Sequence, residues 1–515
     1  MGGNTSFNMG VSPLSSHNLP HASPAQCAAA ESHPNNLKVS RLQNEFSRRP
    51  KFGIISRPVA FLVRGCAVGV KACFLFALRF VNHASNEFLD SSGDQSPTAK
   101  HDLPLPSSRQ RILFFDMSKP RILLAMITAG NGHKAPADAL KSGFEKLYPG
   151  VFEIDVLDFA NEIGDTIFDN FTKNTWNWML RNPWSAYYGQ LLLEWVIPRE
   201  ITRWVTARML RHHARNAAFF VRNRYDLLVS THYFTVQALS DARRKFGVTV
   251  PLVGIVTDPF DGHVLWADEH ADELIVNSPR AKRSLERSGV RPERVSIYGY
   301  PLGVQFVGNK ENRADSRAEL GLKSAQLTLL QSAGGEGLGG QLEAFVRAVL
   351  TANLDVQYVV ACGRNEQLLE RLLTLKAEFP QAITTLEPRG YISNMHTYLS
   401  ASDVVLGKAG ASTTLEALAT GHPMFHTSFV NQSEKTNVEF CAEHRVGKYL
   451  PEPEDLVATL QGFLAQPAQL AVLRDNVKAL DLEVGTLEIA RHLVETYLYY
   501  AVPSRSEATV EESMA

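Results

Sequence analysis

Arg121-Ile122-Leu123-Leu124-Ala125-Met126-Ile127-Thr128, running straight into Ala129-Gly130-Asn131-Gly132-His133-Lys134, decides the fold class. Six consecutive apolar residues closed by a glycine turn read as a strand buried on both faces, the pattern of a parallel sheet. Pro136 then suits the first turn of a helix that carries Leu140, Phe144 and Leu147 at helical spacing. Strand, glycine turn and helix together open an α/β unit. Working outward, apolar runs recur at 152–157, 227–230, 251–257, 273–277 and 294–299, with helical stretches between them. After Tyr300-Pro301-Leu302 and a polar stretch through Ser316, the rhythm restarts at 327–331, 356–361, 383–386, 404–406 and 423–426. The expectation is two doubly wound, Rossmann-like α/β domains, 119–305 and 306–500, facing across a cleft between the carboxyl ends of their strands.

The chain of 515 residues has room for two such domains and an appendage. With 44% hydrophobic and 20% charged residues it is neither collagen-like nor wholly disordered. Lys and Arg number 52 against 53 Asp and Glu, a formal charge of -1, so no nucleic-acid partner is expected from overall charge. The balance hides an asymmetry: 12 basic against 7 acidic residues in 1–118 leave that piece at +5, and 40 against 46 leave the remainder at -6. Five cysteines, odd in number and without a CxxC, indicate neither a disulfide framework nor a zinc site.

Residues 1–118 read as a low-complexity extension and 501–515 as a disordered tail. Within the extension, 54–81 is apolar but interrupted by Arg57, Arg64, Lys71 and Arg79. Its longest uncharged run, 72–78, falls far short of the ~20 residues a spanning helix needs. Arg57, Arg64 and Lys71 recur every seven residues, which gives a helix lying in a membrane interface a basic stripe. Two other readings stand beside it: a cleaved targeting peptide over 1–86, where Glu31 and Glu45 are the acids, or translated sequence upstream of a start at Met117.

Three loops carry candidate chemistry. The turn 128–133 holds His133 between a strand end and a helix, where an imidazole near its ordinary pKa takes a proton at neutral pH; the alternative is a tight turn with a capping His. Gln331-Ser332-Ala333-Gly334-Gly335-Glu336-Gly337-Leu338-Gly339-Gly340 follows the first strand of the second domain and offers backbone N–H groups to a phosphate. Gly407-Lys408-Ala409-Gly410-Ala411-Ser412-Thr413-Thr414-Leu415-Glu416-Ala417 repeats that design later on. There Ser412 and Thr413 supply hydroxyls for a diphosphate, and Glu416 an acceptor for vicinal ribose hydroxyls. Neither loop is a GxxxxGK[ST] P-loop or a GxGxxG dinucleotide turn.

With 257–266, Tyr298-Gly299-Tyr300-Pro301, Gly390-Tyr391-Ile392-Ser393-Asn394-Met395 and Asn431-Gln432-Ser433-Glu434-Lys435, these loops resemble a known family over 120–500. It is that of the plant monogalactosyldiacylglycerol synthases and bacterial processive diacylglycerol glucosyltransferases, of the GT-B fold and related to the enzyme that makes lipid II. The resemblance implies an inverting transfer of a hexose from UDP-glucose or UDP-galactose to diacylglycerol. Transfer to a polyprenyl-linked intermediate, or a non-catalytic sugar-nucleotide-binding membrane protein, are the alternatives. It further implies His133 as catalytic base and Asn131, Gly132, His232, Asp258 and Trp266 on the acceptor side. For the donor it implies Gly334, Gly335, Gly337, Tyr391, Ile392, Met395, Gly410, Ser412, Thr413 and Glu416, with Gln432, Glu434 and Asn437 reaching sugar hydroxyls. Ala409 stands where the family usually has proline, and Asn131 and Lys134 where plant members have glycine and arginine.

No cofactor and no metal are expected, because Asp258, Asp261, His263 and Asp268 match no ligand spacing and suit solvated or capping roles. A diacylglycerol acceptor implies a membrane. Trp176, Trp178, Trp184, Trp195 and Trp204, among Arg181, Arg199, Arg203, Arg208 and Arg211, suit a headgroup layer of anionic lipids, or else the packing of a large core insertion. The expected location is peripheral, on the cytoplasmic face of a membrane, or at the plastid envelope if 1–86 is a transit peptide. A protein beginning at Met117 is expected to fold, transfer sugar and sediment with anionic liposomes at low salt, less so at high salt. Activity in detergent without sedimentation would move the membrane role to 54–81.

Overall fold

The computed structural model describes residues 119–128, 132–163, 211–222, 224–308, 312–335 and 341–501, together with positions 170, 173, 174 and 178. The expectations for 1–118, the interfacial helix at 54–81, the tail after 501, Asn131, Gly337 and all the clustered tryptophans but Trp178 lie outside the described residues. Trp178 itself is 44% exposed.

Two six-stranded parallel sheets form the frame. The first holds β1 (Arg121–Met126), β2 (Glu153–Asp158), β3 (Leu227–Ser230), β4 (Leu252–Ile255), β5 (Glu273–Val276) and β6 (Val295–Ile297), in the order β2-β1-β3-β4-β5-β6. The second holds β7 (Leu327–Ser332), β8 (Val356–Ala361), β9 (Thr385–Arg389), β10 (Val404–Lys408), β11 (Met424–Ser428) and β12 (Gly447–Tyr449), in the order β12-β11-β10-β7-β8-β9. Because helices cover both faces, β3, β4, β5 and β8 are buried at every residue, which is why they read as mostly apolar runs, with Ser230, Glu273 and Gln357 as the buried polar exceptions. β12 gave no such signal: it is a three-residue edge strand with two exposed residues. A Cβ at Gly447 would lie 1.8 Å from the Met424 carbonyl oxygen, so only glycine can pair there.

Each sheet reverses its strand order once, between β1 and β3 and between β10 and β7. These switch points open crevices at the carboxyl ends of the strands, where ligands of open α/β sheets bind. The loops singled out in the sequence leave from those ends.

The expected boundary at 500 is corrected by the last helix. The chain leaves the first half through 299–306, returns through 481–485, and lays helix Thr486–Tyr497 on helix Lys134–Leu147 of the first half. Ile489, Leu493 and Val494 are buried there with Ile122, Leu124, Leu140 and Phe144. The physical reason is the apolar face of that helix, which completes the cover of the first sheet. The two crossings touch backbone to backbone. Tyr300 pairs with Val484 in a parallel bridge, and the Gly485 N–H donates to the Tyr300 carbonyl at 3.1 Å. A Cβ on Gly299 would stand 2.3 Å from the Glu483 carbonyl oxygen, and one on Gly485 2.0 Å from that of Gly299. Gly485→Ala is therefore expected to cost about 1–3 kcal/mol by forcing rigid backbones apart, read as a lower unfolding midpoint in denaturant. An unchanged midpoint would mean that the crossing yields freely.

Candidate active site

His133 sits at the switch point of the first sheet, as the residue preceding helix Lys134–Leu147, and its side chain makes no cap bond. Capping is thus excluded as its role. Its Nδ1 lies 2.7 Å from the Thr231 carbonyl oxygen and 3.0 Å from Thr257 Oγ1, residues just past the ends of β3 and β4. A carbonyl can only accept, so Nδ1 carries the proton and the Nε2 lone pair is left for chemistry. Thr231 Oγ1 donates back to the His133 carbonyl at 2.7 Å, clamping the turn.

The expectation of an ordinary imidazole pKa at His133 is corrected. Burial pushes it down to about 4, only partly offset by the Thr231 carbonyl. A rim of His133 stays accessible, but the ring packs edge-on against His232 at 4.4 Å. His232 is buried, its Nδ1 accepts the Phe234 N–H at 3.2 Å, and burial followed by His133 holds it neutral. It caps a helix and walls His133 and does not face outward.

Trp266 is also corrected: it is fully buried and meets no acceptor directly. Its Nε1–H donates to Asp258 Oδ2 at 2.6 Å. Asp258 takes a further hydrogen bond from Ser433 of the second half, yet burial still raises its pKa above the usual carboxylate range. Asp261 accepts from Ser284 at 2.9 Å, His263 caps Leu265 at 3.1 Å, and Asp268 accepts from Ser240 at 2.8 Å, so these three have structural work. Gly132 is exposed beside the site.

The second half contributes its own switch-point loops. Gly334, with φ +75°, and Gly335 follow β7, and a Cβ on the neighbouring Gly363 would strike the carbonyl oxygens of both. No side chain caps helix Ala411–Ala419 after Gly410, so the amides of its first turn, beside Ser412 and Thr413, remain for an anion at the positive end of the helix. Ser412 Oγ and Tyr300 Oη are buried, adjacent across the halves, and neither completes a hydrogen bond of good geometry. Glu416 has no hydrogen-bond or ion-pair partner among the described residues, and burial pushes its carboxyl up to about 7. Tyr391 is exposed past β9 under the Arg364 guanidinium at 4.8 Å, with Ile392 and Met395 half-buried beside it.

Two of the donor-side residues make contacts within the protein. Glu434 is buried with one oxygen on Lys408 and the other accepting the Val430 N–H at 2.8 Å, so it braces the loop. Asn437 is buried and its Nδ2 donates to the Ala409 carbonyl at 2.8 Å, so it shapes the turn before the helix. Gln432 opens the helix Gln432–Glu443, capped by Asn431. Ala409 uses the N–H that proline lacks, donating to the Ser428 carbonyl at 2.8 Å. Sequence reading missed Thr231 and the Lys408–Glu434 pair; for Thr231 the available signal was its place one residue past a strand end.

Two doubly wound halves whose switch-point loops bring a tautomer-fixed imidazole on one side and a free helix N-terminus with hydroxyls and a carboxylate on the other define a glycosyltransferase of the GT-B class. Residues 133–302 match the family model for monogalactosyldiacylglycerol (MGDG) synthase, and residues 339–469 that for the glycosyltransferase family 28 C-terminal domain. The chloroplastic monogalactosyldiacylglycerol synthase of Spinacia oleracea is 26% identical over 373 residues, 70% of this chain and 69% of that one. The probable chloroplastic enzyme of Nicotiana tabacum is 24% identical over 95% of this chain and 87% of its own. The processive diacylglycerol beta-glucosyltransferase of Bacillus licheniformis is 28% identical over 52% of this chain and 68% of its own. Among solved structures, the glycosyltransferase SnogD of Streptomyces nogalater aligns at TM-score 0.49 and 17% identity over 73% of this chain and all of that one. Over both halves the chain is thus similar to the monogalactosyldiacylglycerol synthases and diacylglycerol glucosyltransferases.

The pKa of His133 makes a prediction with a definite sign. The folded value, about 4, lies below the ordinary 6.5, so the unfolded chain binds the proton more tightly. The stability from keeping this ring neutral is present above pH 6.5 and is lost as pH falls towards 4. Nitrogen-detected NMR of histidine-labelled protein should show an Nδ1-protonated ring that stays neutral at pH 5.5; titration near 6.5 would overturn the burial argument.

Proposed function

We propose that His133 Nε2 is the general base of an inverting transfer, in which a hexose leaves a UDP-sugar for the free hydroxyl of diacylglycerol. Sugar transfer to diacylglycerol is the activity of the family. The observation that carries the finer reading is the fixed tautomer: Nδ1 is held by Thr231, which leaves Nε2 to take the hydroxyl proton. As that oxygen attacks the anomeric carbon, negative charge grows on the leaving diphosphate. The uncapped helix at Ala411, with Ser412 and Thr413, stabilises that charge. Glu416 accepts from the ribose diol. A neutral base suits an alcohol nucleophile, and an anionic donor in the cleft raises the His133 pKa towards the working range. Asp258, steadied by Trp266, completes the acceptor wall. The chloroplastic relatives support a plastid envelope location. Whether glucose or galactose is moved rests with side chains around the donor sugar, and the spinach and Bacillus relatives differ on that point by name.

His133→Ala is expected to lower kcat by about 10²–10⁴ with UDP affinity nearly unchanged. The assay pairs radiolabelled UDP-glucose or UDP-galactose with diacylglycerol liposomes; a loss confined to the acceptor KM would make His133 a positioning residue. For Glu416, ribose hydroxyls favour the ionised carboxylate, so UDP binding should tighten as pH rises through about 7 and release a proton. Calorimetry in buffers of different ionisation enthalpy should detect that proton, and Glu416→Gln should abolish it. A pH-independent affinity in the parent protein would remove Glu416 from the ribose site.

A further inference from the structure

A second concentration of positive charge lies at the other end of helix Ala411–Ala419. Asp403 is buried and accepts from Arg317 at 2.8 Å and from the Thr328 N–H at 2.7 Å through one oxygen. Arg313, at 3.2 Å, and Arg474 share the other. Arg317 is fully answered, since its Nε donates to the Ala401 carbonyl at 2.9 Å and its Nη1 to that of Ser324 at 2.5 Å. One carboxylate therefore serves three guanidinium groups. Arg313 Nε and Arg474 Nε are buried without an acceptor. Burial and the nearby Arg474 hold the Arg313 pKa below its usual value, and burial with the same two arginines drives His422 to about 3. The surroundings of both are short of negative charge.

These groups open into a recess of about 270 Å³ lined by Arg313, Ser400, Thr420, His422, Arg474 and Lys478. Among the described residues no carboxylate and no aliphatic side chain lines it. Lys478 is 73% exposed and its partner Asp475 is 3.7 Å away.

We propose that this recess is a binding site for a phosphate group, free or on a small polar molecule, held by Arg313, Arg474 and Lys478. Two guanidinium groups and an ammonium suit a compact dianion with several acceptor oxygens. A lipid is disfavoured because acyl chains meet no apolar wall. The donor diphosphate is a separate matter: it belongs to the first turn of helix Ala411–Ala419, whereas Thr420 and Gly421 follow its last, roughly 13 Å along the axis.

The test titrates inorganic phosphate by calorimetry into protein already saturated with UDP, with sodium chloride adjusted to constant ionic strength. One phosphate site is expected, weakened about tenfold by Lys478→Gln, the loss of one charge-assisted hydrogen bond. Lys478 is exposed, so the variant should keep the parent's unfolding midpoint; Arg474→Gln should abolish binding but also loosens Asp403, and serves as the second variant. The proposal fails if phosphate binds no better than chloride, if Lys478→Gln leaves binding unchanged, or if phosphate displaces UDP one for one. Repeating the titration without UDP separates this result from the donor reading: loss of UDP binding with a surviving, Lys478-dependent phosphate site would overturn only the latter.

Discussion

The backbone contact between Gly299 and Gly485 is the constraint on which the remaining architecture depends. A chain that crosses between two halves once can swing about that point. Here it crosses twice in the same place, and the returning segment ends as a helix in the core of the first half. Neither half completes its cover without the other's crossing. Tyr300 follows Gly299 directly, and its ring reaches Ser412 in the first turn of helix Ala411–Ala419, so the close packing and the candidate site are one residue apart. Further contacts join the halves nearby: Phe260 stacks on Phe440 with centroids 3.8 Å apart, and Arg280 meets Glu439 at 3.2 Å.

Burial sets the electrostatics of the cleft. His133 is driven down, Glu416 and Asp258 up, and in each case desolvation is the largest cause. All three are pushed towards their neutral forms, so the fold avoids placing bare charges in a low-dielectric crevice. On the function proposed above, the negative charge of a sugar-nucleotide donor would favour an imidazolium at His133 and its hydroxyls a carboxylate at Glu416, so that binding would move protons against this desolvation.

Three polar side chains of the candidate site share one trait. Trp266, Glu434 and Asn437 lie in or beside its loops. Each satisfies a buried group of the loop itself: a carboxylate, a lysine with a backbone amide, and a carbonyl. A buried polar group left unpaired costs more than a pair is worth, so loops that hold a ligand spend side chains on their own backbone first. Sequence order cannot separate the two uses, because supporting and contacting residues alternate within a few positions.

By itself the sequence determined the class of fold and which loops leave the carboxyl ends of the strands. Unbroken apolar runs of four to six residues demand a parallel sheet covered on both faces, and a strand leaving into a glycine turn and a helix marks the carboxyl end where a ligand binds. Those are local consequences of periodicity and turn chemistry. Tertiary structure alone decided that helix Thr486–Tyr497 belongs to the first half, that Thr231 fixes the His133 tautomer across 98 residues of chain, and that Asp403 is shared among three arginines. Such facts depend on which distant segments meet, and that is set by burial of the whole chain, where each side chain's protonation and partners follow from the dielectric and the donors its neighbours bring.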